Sequence, residues 1–520
     1  MPLDWQKYQR SLLHDAGIAF TLDAAHSGLA ADWPQRHATR LSAAFDAMAA
    51  LEAGAIANPS EGRSVGHYWL RTPELAPDAA LREAIRACRN AVAAFAAKLQ
   101  AGTVRAPCGA PFTDLLCIGI GGSALGPMLV SDALGPGPGL VPSFLDNTDP
   151  DGVARVLQRL DARLPTTLVL VTSKSGSTPE PLNCTKIVRA AFAARGLDFA
   201  RQAVAVTGAG SKLDHEAADW LARFPMWDWV GGRTSLWSAV GLVPGMLEGL
   251  DMDAVLDGAR AMDALTRRRD AASNPAALLS IYWWEQCGGR GERSMVVLPY
   301  KDRLALFARY LQQLVMESLG KRTDTSGREV FQGISVYGNK GSTDQHAYVQ
   351  QLRDGVHDFF VVFVEVLREG PRFEVEADIS AGDYLGGFLS GTRAALADAG
   401  RASMGITLRE LNARSLGALL ALFERAVGFY ASYAGINAYD QPGVEAGKLA
   451  AAQVLQVQKR LLQTLRVAKA PMDVPALVTA LAADPETIFS LLRRLEANGV
   501  LRCEGAAETP WLQRWAPQLP

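Results

Sequence analysis

Short, unbroken apolar runs that recur from residue 114 onward, separated by helix-length segments, constrain the fold of this chain more than any other feature. Leu115 to Ile120, Leu168 to Val171, Ala203 to Val206, Met295 to Leu298 and Phe359 to Val366 are such runs, punctuated by Gly, Ser or Pro. A strand with one wet face would alternate apolar and polar residues, so continuous runs predict parallel strands buried on both faces in βαβ units. Ligands then belong at the carboxyl ends of the strands. The runs fall into two clusters on either side of a helical stretch around 250 to 290, which predicts two doubly wound α/β sandwiches of similar architecture. Residues 1–105 read as a helical segment, with Ala-rich stretches from Leu41 to Leu51 and Leu81 to Leu99. The expected organisation is therefore a helical segment at 1–105, a first α/β domain at 106–270, a second at 271–449 and an extension at 450–520.

Composition narrows the partners. The 520 residues carry 52 basic and 54 acidic side chains for a formal charge of -2, so no global field attracts nucleic acid or an anionic membrane. Any anion site has to be local. The six cysteines lack the close pairs of a zinc site and the density of a disulfide scaffold. The start, Met1-Pro2-Leu3-Asp4-Trp5, has no basic-then-apolar signal pattern, and no apolar run reaches membrane-spanning length. A soluble cytoplasmic protein is expected, with no membrane and no nucleic-acid partner.

One local anion site is visible. Ser173-Lys174-Ser175-Gly176-Ser177-Thr178-Pro179-Glu180 follows the run Thr167 to Val171 and opens an apparent helix. Hydroxyls, a lysine and backbone N–H groups would converge there, with Thr178 as N-cap, Pro179 at the first helical position and Gly176 permitting the turn. That is a phosphate cradle, although a Ser/Gly/Thr turn can also do no more than cap a helix. A second Gly-rich loop, Ile118-Gly119-Ile120-Gly121-Gly122-Ser123-Ala124, also ends a strand. It mimics a degenerate dinucleotide fingerprint with Asp146 as ribose-binding acid, or it lets backbone approach any small polar ligand.

Four further residues stand where chemistry is possible. Arg233 follows two glycines in Gly231-Gly232-Arg233-Thr234-Ser235-Leu236-Trp237-Ser238, where a guanidinium can meet developing oxyanion charge or simply pair a carboxylate. Glu317 sits between Val315-Met316 and Ser318 on a helical pattern, as a general base with apolar neighbours or as a solvated side chain. His346 lies at a turn entering a helix, where a lone histidine is usually structural, and Lys448 follows the Gln441-Pro442-Gly443 turn, where a lysine is ordinarily solvent-exposed. Together with the phosphate loop they describe proton shuffling on a phosphorylated substrate without a metal or cofactor.

These segments, in this order, resemble the phosphoglucose isomerase family over about residues 60 to 450. The stretches at 231–238 and at 441–448, Gln-Pro-Gly-Val-Glu-Ala-Gly-Lys, look like its two signature segments. The resemblance implies that Ser173, Lys174, Ser175 and Thr178 surround a sugar phosphate, and that Gly122 and Ser123 contact the sugar. It further implies that Gln313 and Gln441 line the pocket. Glu317 would move the proton between C2 and C1 through a cis-enediol(ate), Arg233 would stabilise that intermediate, and His346 and Lys448 would open the ring. The family receives the equivalent of His346 from a neighbouring subunit, so a homodimer with a shared site is implied. Its animal members carry a bulky aromatic where this loop has Gly176, and residues 61–71 resemble the family only loosely, so His67 is given no role.

The extension at 450–520 reads as three helices followed by Val500-Leu501-Arg502-Cys503, a small winged-helix-like unit. Ile488, Leu491, Leu492 and Leu495 form one apolar face of the third helix. The segment holds eight basic and six acidic residues and no basic stripe, which favours packing over DNA binding. Two rival functions follow: a sugar-phosphate-binding regulator with a DNA-binding module, which has no need for Glu317, His346 and Lys448 together, and a dehydrogenase, which would leave them unused.

Overall fold

A computed structural model describes residues 4–518 of the chain, which group into one compact unit ending at Asp440 and a second beginning at Gln441. The first unit is built on two large sheets, a five-stranded one within 106–270 and a six-stranded one with four of its strands within 271–449.

The first sheet has five parallel strands in the order Val141–Leu145, Asp114–Ile118, Thr167–Thr172, Ala203–Thr207 and Ala222–Pro225. Asp114–Ile118, Thr167–Thr172 and Ala203–Thr207 are buried at every position, as their continuous apolar composition demands. The chain leaves Asp114–Ile118 toward one edge of the sheet and returns to its other side, which makes the gap between Asp114–Ile118 and Thr167–Thr172 the topological switch point. Loops that leave the carboxyl ends of those two strands diverge over a ready-made crevice. Both Gly-rich loops singled out in the sequence begin there.

In the second sheet Val336–Tyr337, Ser294–Pro299, Phe359–Val366 and Ser403–Leu408 are parallel neighbours. A hairpin of Leu12–Asp15 and Phe20–Asp23 extends it, with Phe20–Asp23 antiparallel to Ser403–Leu408. The first 105 residues are thus not wholly helical. Phe20 and Leu22 are completely buried, and two short apolar pairs spaced to face one sheet outweigh the helix-forming composition around them. An antiparallel edge on a parallel sheet is a common arrangement.

Ala413–Ala434 is a helix buried around most of its circumference, against which the helices Met252–Thr266 and Pro275–Gln286 pack. A helix this buried has little room for charge, yet it carries Glu424 and Arg425 at 3% and 1% exposure. Arg71 and Arg425 both donate to Asp263 Oδ1, at 2.8 and 3.0 Å, while Arg71 also pairs with Glu424 and Arg425 with Glu52.

A lone buried carboxyl gives the fold a pH dependence. Glu248 is 3% exposed and accepts a 2.7 Å hydrogen bond from Ser131, and its burial pushes its pKa from 4.5 up to about 7. Because the folded value lies above the unfolded one, its stabilising contribution is complete below pH 4.5 and is lost as pH rises through about 7. Glu248→Gln, neutral at every pH, should melt above the wild type by an amount that grows between pH 5 and pH 8, to at most about 3 kcal/mol. A melting difference that stays constant across that range would contradict this assignment.

The second unit has three helices, Pro442–Val467, Val474–Leu481 and Pro485–Ala497, and an antiparallel hairpin of Leu501–Glu504 with Arg514–Pro517. Asp484 caps the third helix through Thr487 N–H at 2.7 Å, and the predicted face of Ile488, Leu491, Leu492 and Leu495 is buried in a small core of its own. The first helix runs unbroken through residue 449, so the predicted edge at 450 falls inside it. No single helix among the described residues is long and apolar enough to cross a membrane.

Candidate active site

Strand Asp114–Ile118 ends in the loop that carries Gly121, Gly122 and Ser123, and this loop is the floor of the site. A Cβ on Gly122 would lie 1.9 Å from the carbonyl oxygen of Gly232, so only glycine lets the two turns meet. Ser235 locks the contact by donating to the carbonyls of Gly122 and Gly232 at 3.2 and 2.7 Å. On the other side, Gln313 Nε2 stands 3.1 Å from where a Cβ on Gly121 would be. Two segments remote in sequence therefore converge on this loop. Gly122 thus serves a contact with Gly232, and Asp146, the candidate ribose-binding acid, is paired with Arg309 at 3.1 Å. The dinucleotide reading of this loop is thereby set aside.

The loop at 173–178 leaves the adjacent strand. Its hydroxyls divide the work in a way the sequence did not show. Ser173 is buried and its Oγ accepts from Gly176 N–H at 3.1 Å, bracing the turn. Ser175 and Ser177 bond each other at 2.8 Å. Thr178 occupies the N-cap position of the helix Pro179–Ala193 as predicted, but its hydroxyl makes no capping bond. Pro179 and Pro181 have no N–H and Leu182 N–H bonds the Thr178 carbonyl at 3.2 Å, so that hydroxyl and the Glu180 N–H are the donors left at this helix start. Lys174 reaches across to the carbonyls of Asp228 and Val230, at 3.0 and 3.4 Å, and to the Asp228 carboxylate at 3.3 Å. Burial holds its ammonium below the usual lysine range, while Asp228 opposes that shift. Gly176 has φ +68°, and a Cβ there would meet Leu213 N at 2.3 Å, which explains why this loop carries no aromatic at that position.

Arg233 and Glu317 form the centre. Arg233 Nη2 lies 3.0 Å from Glu317 Oε1, with the two side chains 5% and 18% exposed. Apolar neighbours in sequence were expected to surround Glu317, and the structure corrects this: Val315 points into the core, Met316 outward, and the carboxylate faces a guanidinium. Three consecutive residues on a helical turn point about 100° apart, so flanking residues say little about a side chain's surroundings. The turn itself, Gln312–Glu317, is π-helical, a form often found at functional sites. Arg233 is held by the carbonyls of Ala438 and Asp440 at 3.1 and 2.9 Å, and by Ser318 Oγ at 3.3 Å. Burial pulls its pKa down and Glu317 and Asp440 pull it back, so it stays charged.

Three predicted residues remain. His346 ends the short helix Thr343–His346, is exposed, and makes no hydrogen bond to Glu317 or Arg233 among the described residues. Gln441 is exposed at the start of the second unit's first helix, and Lys448 lies on that helix with its side chain outside the described residues.

Two groups of residues escaped the sequence reading. Lys321 and Asp440 abut the Arg233–Glu317 pair, and a spacing of four from Glu317 and adjacency to Gln441 were the available signals. The buried charges are the other group: Trp237, at the end of the Arg233 turn, donates to Glu424 at 2.8 Å and lies 4.2 Å under the Arg71 guanidinium. Nothing in local sequence links residues 71, 237, 263 and 424.

The profile of the phosphoglucose isomerase family matches residues 36–394 and 393–469. The chain belongs to the phosphoglucose isomerase family. A curated glucose-6-phosphate isomerase of Geobacter sp. (strain M21) is 55% identical over 505 residues, 95% of each chain. One of Synechococcus elongatus is 56% identical over 501 residues, again 95% of each. The crystal structure of a glucose-6-phosphate isomerase from Chlamydia trachomatis superimposes with a TM-score of 0.79 at 29% identity, covering 88% of this chain and 92% of that one. The family profile reaches residue 469 and the curated glucose-6-phosphate isomerases match 95% of the chain, so the match continues past residue 450 into the extension. Nothing in these relatives supports a regulator.

Proposed function

We propose that the Arg233–Glu317 pair, seated beside the Gly121–Ser123 loop, is the proton-transfer centre of an aldose-ketose isomerase. The chain interconverts glucose 6-phosphate and fructose 6-phosphate. The observation that carries the reading is a carboxylate 3.0 Å from a buried guanidinium at the switch-point crevice, with an unbonded Thr178 hydroxyl at a helix N-terminus on the next strand. His346 and Lys448 open the sugar ring by taking the proton of the C1 hydroxyl and delivering one to the ring oxygen, as the bond from C1 to that oxygen breaks and C1 becomes a carbonyl. Glu317 then takes the proton from C2 of the open aldose, and the C–H electrons form the C1–C2 double bond as the C1 carbonyl oxygen gains charge. Arg233 stabilises that cis-enediolate, a hydroxyl proton passes from O2 to O1, and return of the carbon-bound proton to C1 leaves the carbonyl at C2, the ketose. Ser173, Lys174, Ser175 and Thr178 form the phosphate loop, Ser173 and Lys174 as braces and Thr178 as a contact. Gly122, Ser123, Gln313 and Gln441 border the sugar. An exposed His346 suits delivery to a second copy's site, so the active form is a homodimer.

Conversion of fructose 6-phosphate to glucose 6-phosphate by the purified protein, unchanged by EDTA, tests the function; no conversion would refute it. Thr178→Val replaces the hydroxyl by a methyl of the same shape. Loss of one charge-assisted hydrogen bond should raise KM on the order of tenfold or more with little change in kcat. If KM is unchanged and unphosphorylated fructose is still rejected as before, the loop only starts a helix.

A further inference from the structure

Lys321 is almost completely buried, 8% exposed, one turn beyond Glu317 and just past the end of the π-helical segment. Its ammonium donates to the carbonyl oxygen of Glu317 at 2.8 Å and to the carbonyl oxygen of Asp440 at 2.8 Å, and lies 3.2 Å from Asp440 Oδ1. Two of its three N–H donors are taken by these carbonyls, and the Asp440 carboxylate faces the third side, so the charge is answered within the fold. The Asp440 carbonyl that takes Lys321 also takes Arg233 Nη2 at 2.9 Å, and Arg233 Nη2 in turn faces the Glu317 carboxylate at 3.0 Å. The four groups close a ring: the backbone of Glu317, the ammonium, the Asp440 carbonyl and the guanidinium that meets the Glu317 side chain. Asp440 is itself held from outside the ring by Ser60 Oγ at 2.8 Å.

Two cations buried side by side repel, and burial with Arg233 beside it draws Lys321 below the usual lysine range while Asp440 opposes that fall. A helix end capped for stability alone would be served by water or a glycine without burying a second positive charge. What this arrangement adds is a common reference point. The backbone that carries the base and the guanidinium that faces it are tied to the same ammonium, so neither moves relative to the other.

We propose that Lys321 is a positioning residue for the isomerisation, holding Glu317 and Arg233 in register through the Asp440 carbonyl. This rests on the proton-transfer reading of Glu317 given above. Because Lys321 touches no substrate, its loss should fall on the chemical step: a base displaced by a fraction of an ångström loses rate without losing affinity.

Lys321→Met keeps an unbranched chain of similar length and removes the donors. With fructose 6-phosphate, kcat should fall roughly 10- to 100-fold while KM stays within about threefold of wild type. Asp440→Asn leaves both carbonyls and removes only the carboxylate, and should give a smaller loss of kcat, again without a change in KM. A kcat within twofold of wild type in Lys321→Met, or a loss confined to KM, would overturn the proposal. Should Lys321→Met not fold, full kcat in Asp440→Asn would overturn it. Wild-type protein assayed alongside separates the two levels: an inactive wild type sinks the isomerase reading and this inference with it, whereas an active wild type with an unimpaired variant sinks the inference alone.

Discussion

Glu317→Gln should lower kcat on fructose 6-phosphate by a factor on the order of 10² to 10⁴ or more with KM little changed, since the amide keeps the shape but cannot accept the C–H proton. The side chain's only described charged partner is Arg233, at 3.0 Å, so the variant also leaves that guanidinium without its carboxylate. The same variant tests the shared site. If His346 of one copy serves Glu317 of another, Glu317→Gln and His346→Ala proteins, each nearly inactive alone, form mixed dimers in which one site carries both defects and the other carries neither. Equimolar mixing with subunit exchange should then recover about a quarter of wild-type activity, half the dimers being mixed and half their sites intact. Near-normal turnover by Glu317→Gln would remove it from the mechanism. Absence of recovery on mixing, with exchange shown by an affinity tag, would place His346 in its own subunit's site.

Asp263→Asn should be the most destabilising single change in the first unit. Asp263 is fully buried and both Arg71 and Arg425 donate to its Oδ1. Neutralising it leaves two buried guanidinium groups to share Glu424 and Glu52, and breaking a buried pair by removing one partner costs about 3–5 kcal/mol. The loss should appear as a lower urea midpoint for the first unfolding transition. Activity should fall too, because Arg71 covers the Trp237 ring at the end of the turn that bears Arg233. Addition of Arg71→Met should cost less than the two single changes summed, as expected for members of one network. A midpoint unchanged by Asp263→Asn would mean that the ionic cluster is energetically idle.

Most of the α/β framework was legible because fully buried strands have no wet face to interrupt their apolar runs. Asp114–Ile118, Thr167–Thr172, Ala203–Thr207, Ser294–Pro299 and Phe359–Val366 all coincide with such runs to within two residues. Ser403–Leu408 did not declare itself, because Ser403, Gly405 and Thr407 interrupt Met404, Ile406 and Leu408. The hairpin Leu12–Asp15 and Phe20–Asp23 was hidden for a related reason: its strands are too short for periodicity to register. At the site, loop chemistry located the switch-point crevice, since Gly122 and Gly176 answer to contacts that exclude a Cβ. What local sequence does not carry is which hydroxyl turns inward. Ser173 and Thr178 look equivalent in a string of residues, yet one braces the turn and the other is left unbonded. Long-range ties such as Lys321 to Asp440 are invisible until the chain is folded.

The most direct test of the proton-transfer account is isomerisation in D2O. During conversion of fructose 6-phosphate, deuterium from solvent should enter C2 of the glucose 6-phosphate formed and C1 of the recovered ketose, because a carboxylic acid at Glu317 exchanges its proton before returning it. In Glu317→Gln both labels should appear more slowly by the same factor as turnover. Conversion at the wild-type rate with no deuterium at either carbon, even at equilibrium, would indicate a direct hydride shift and contradict the account.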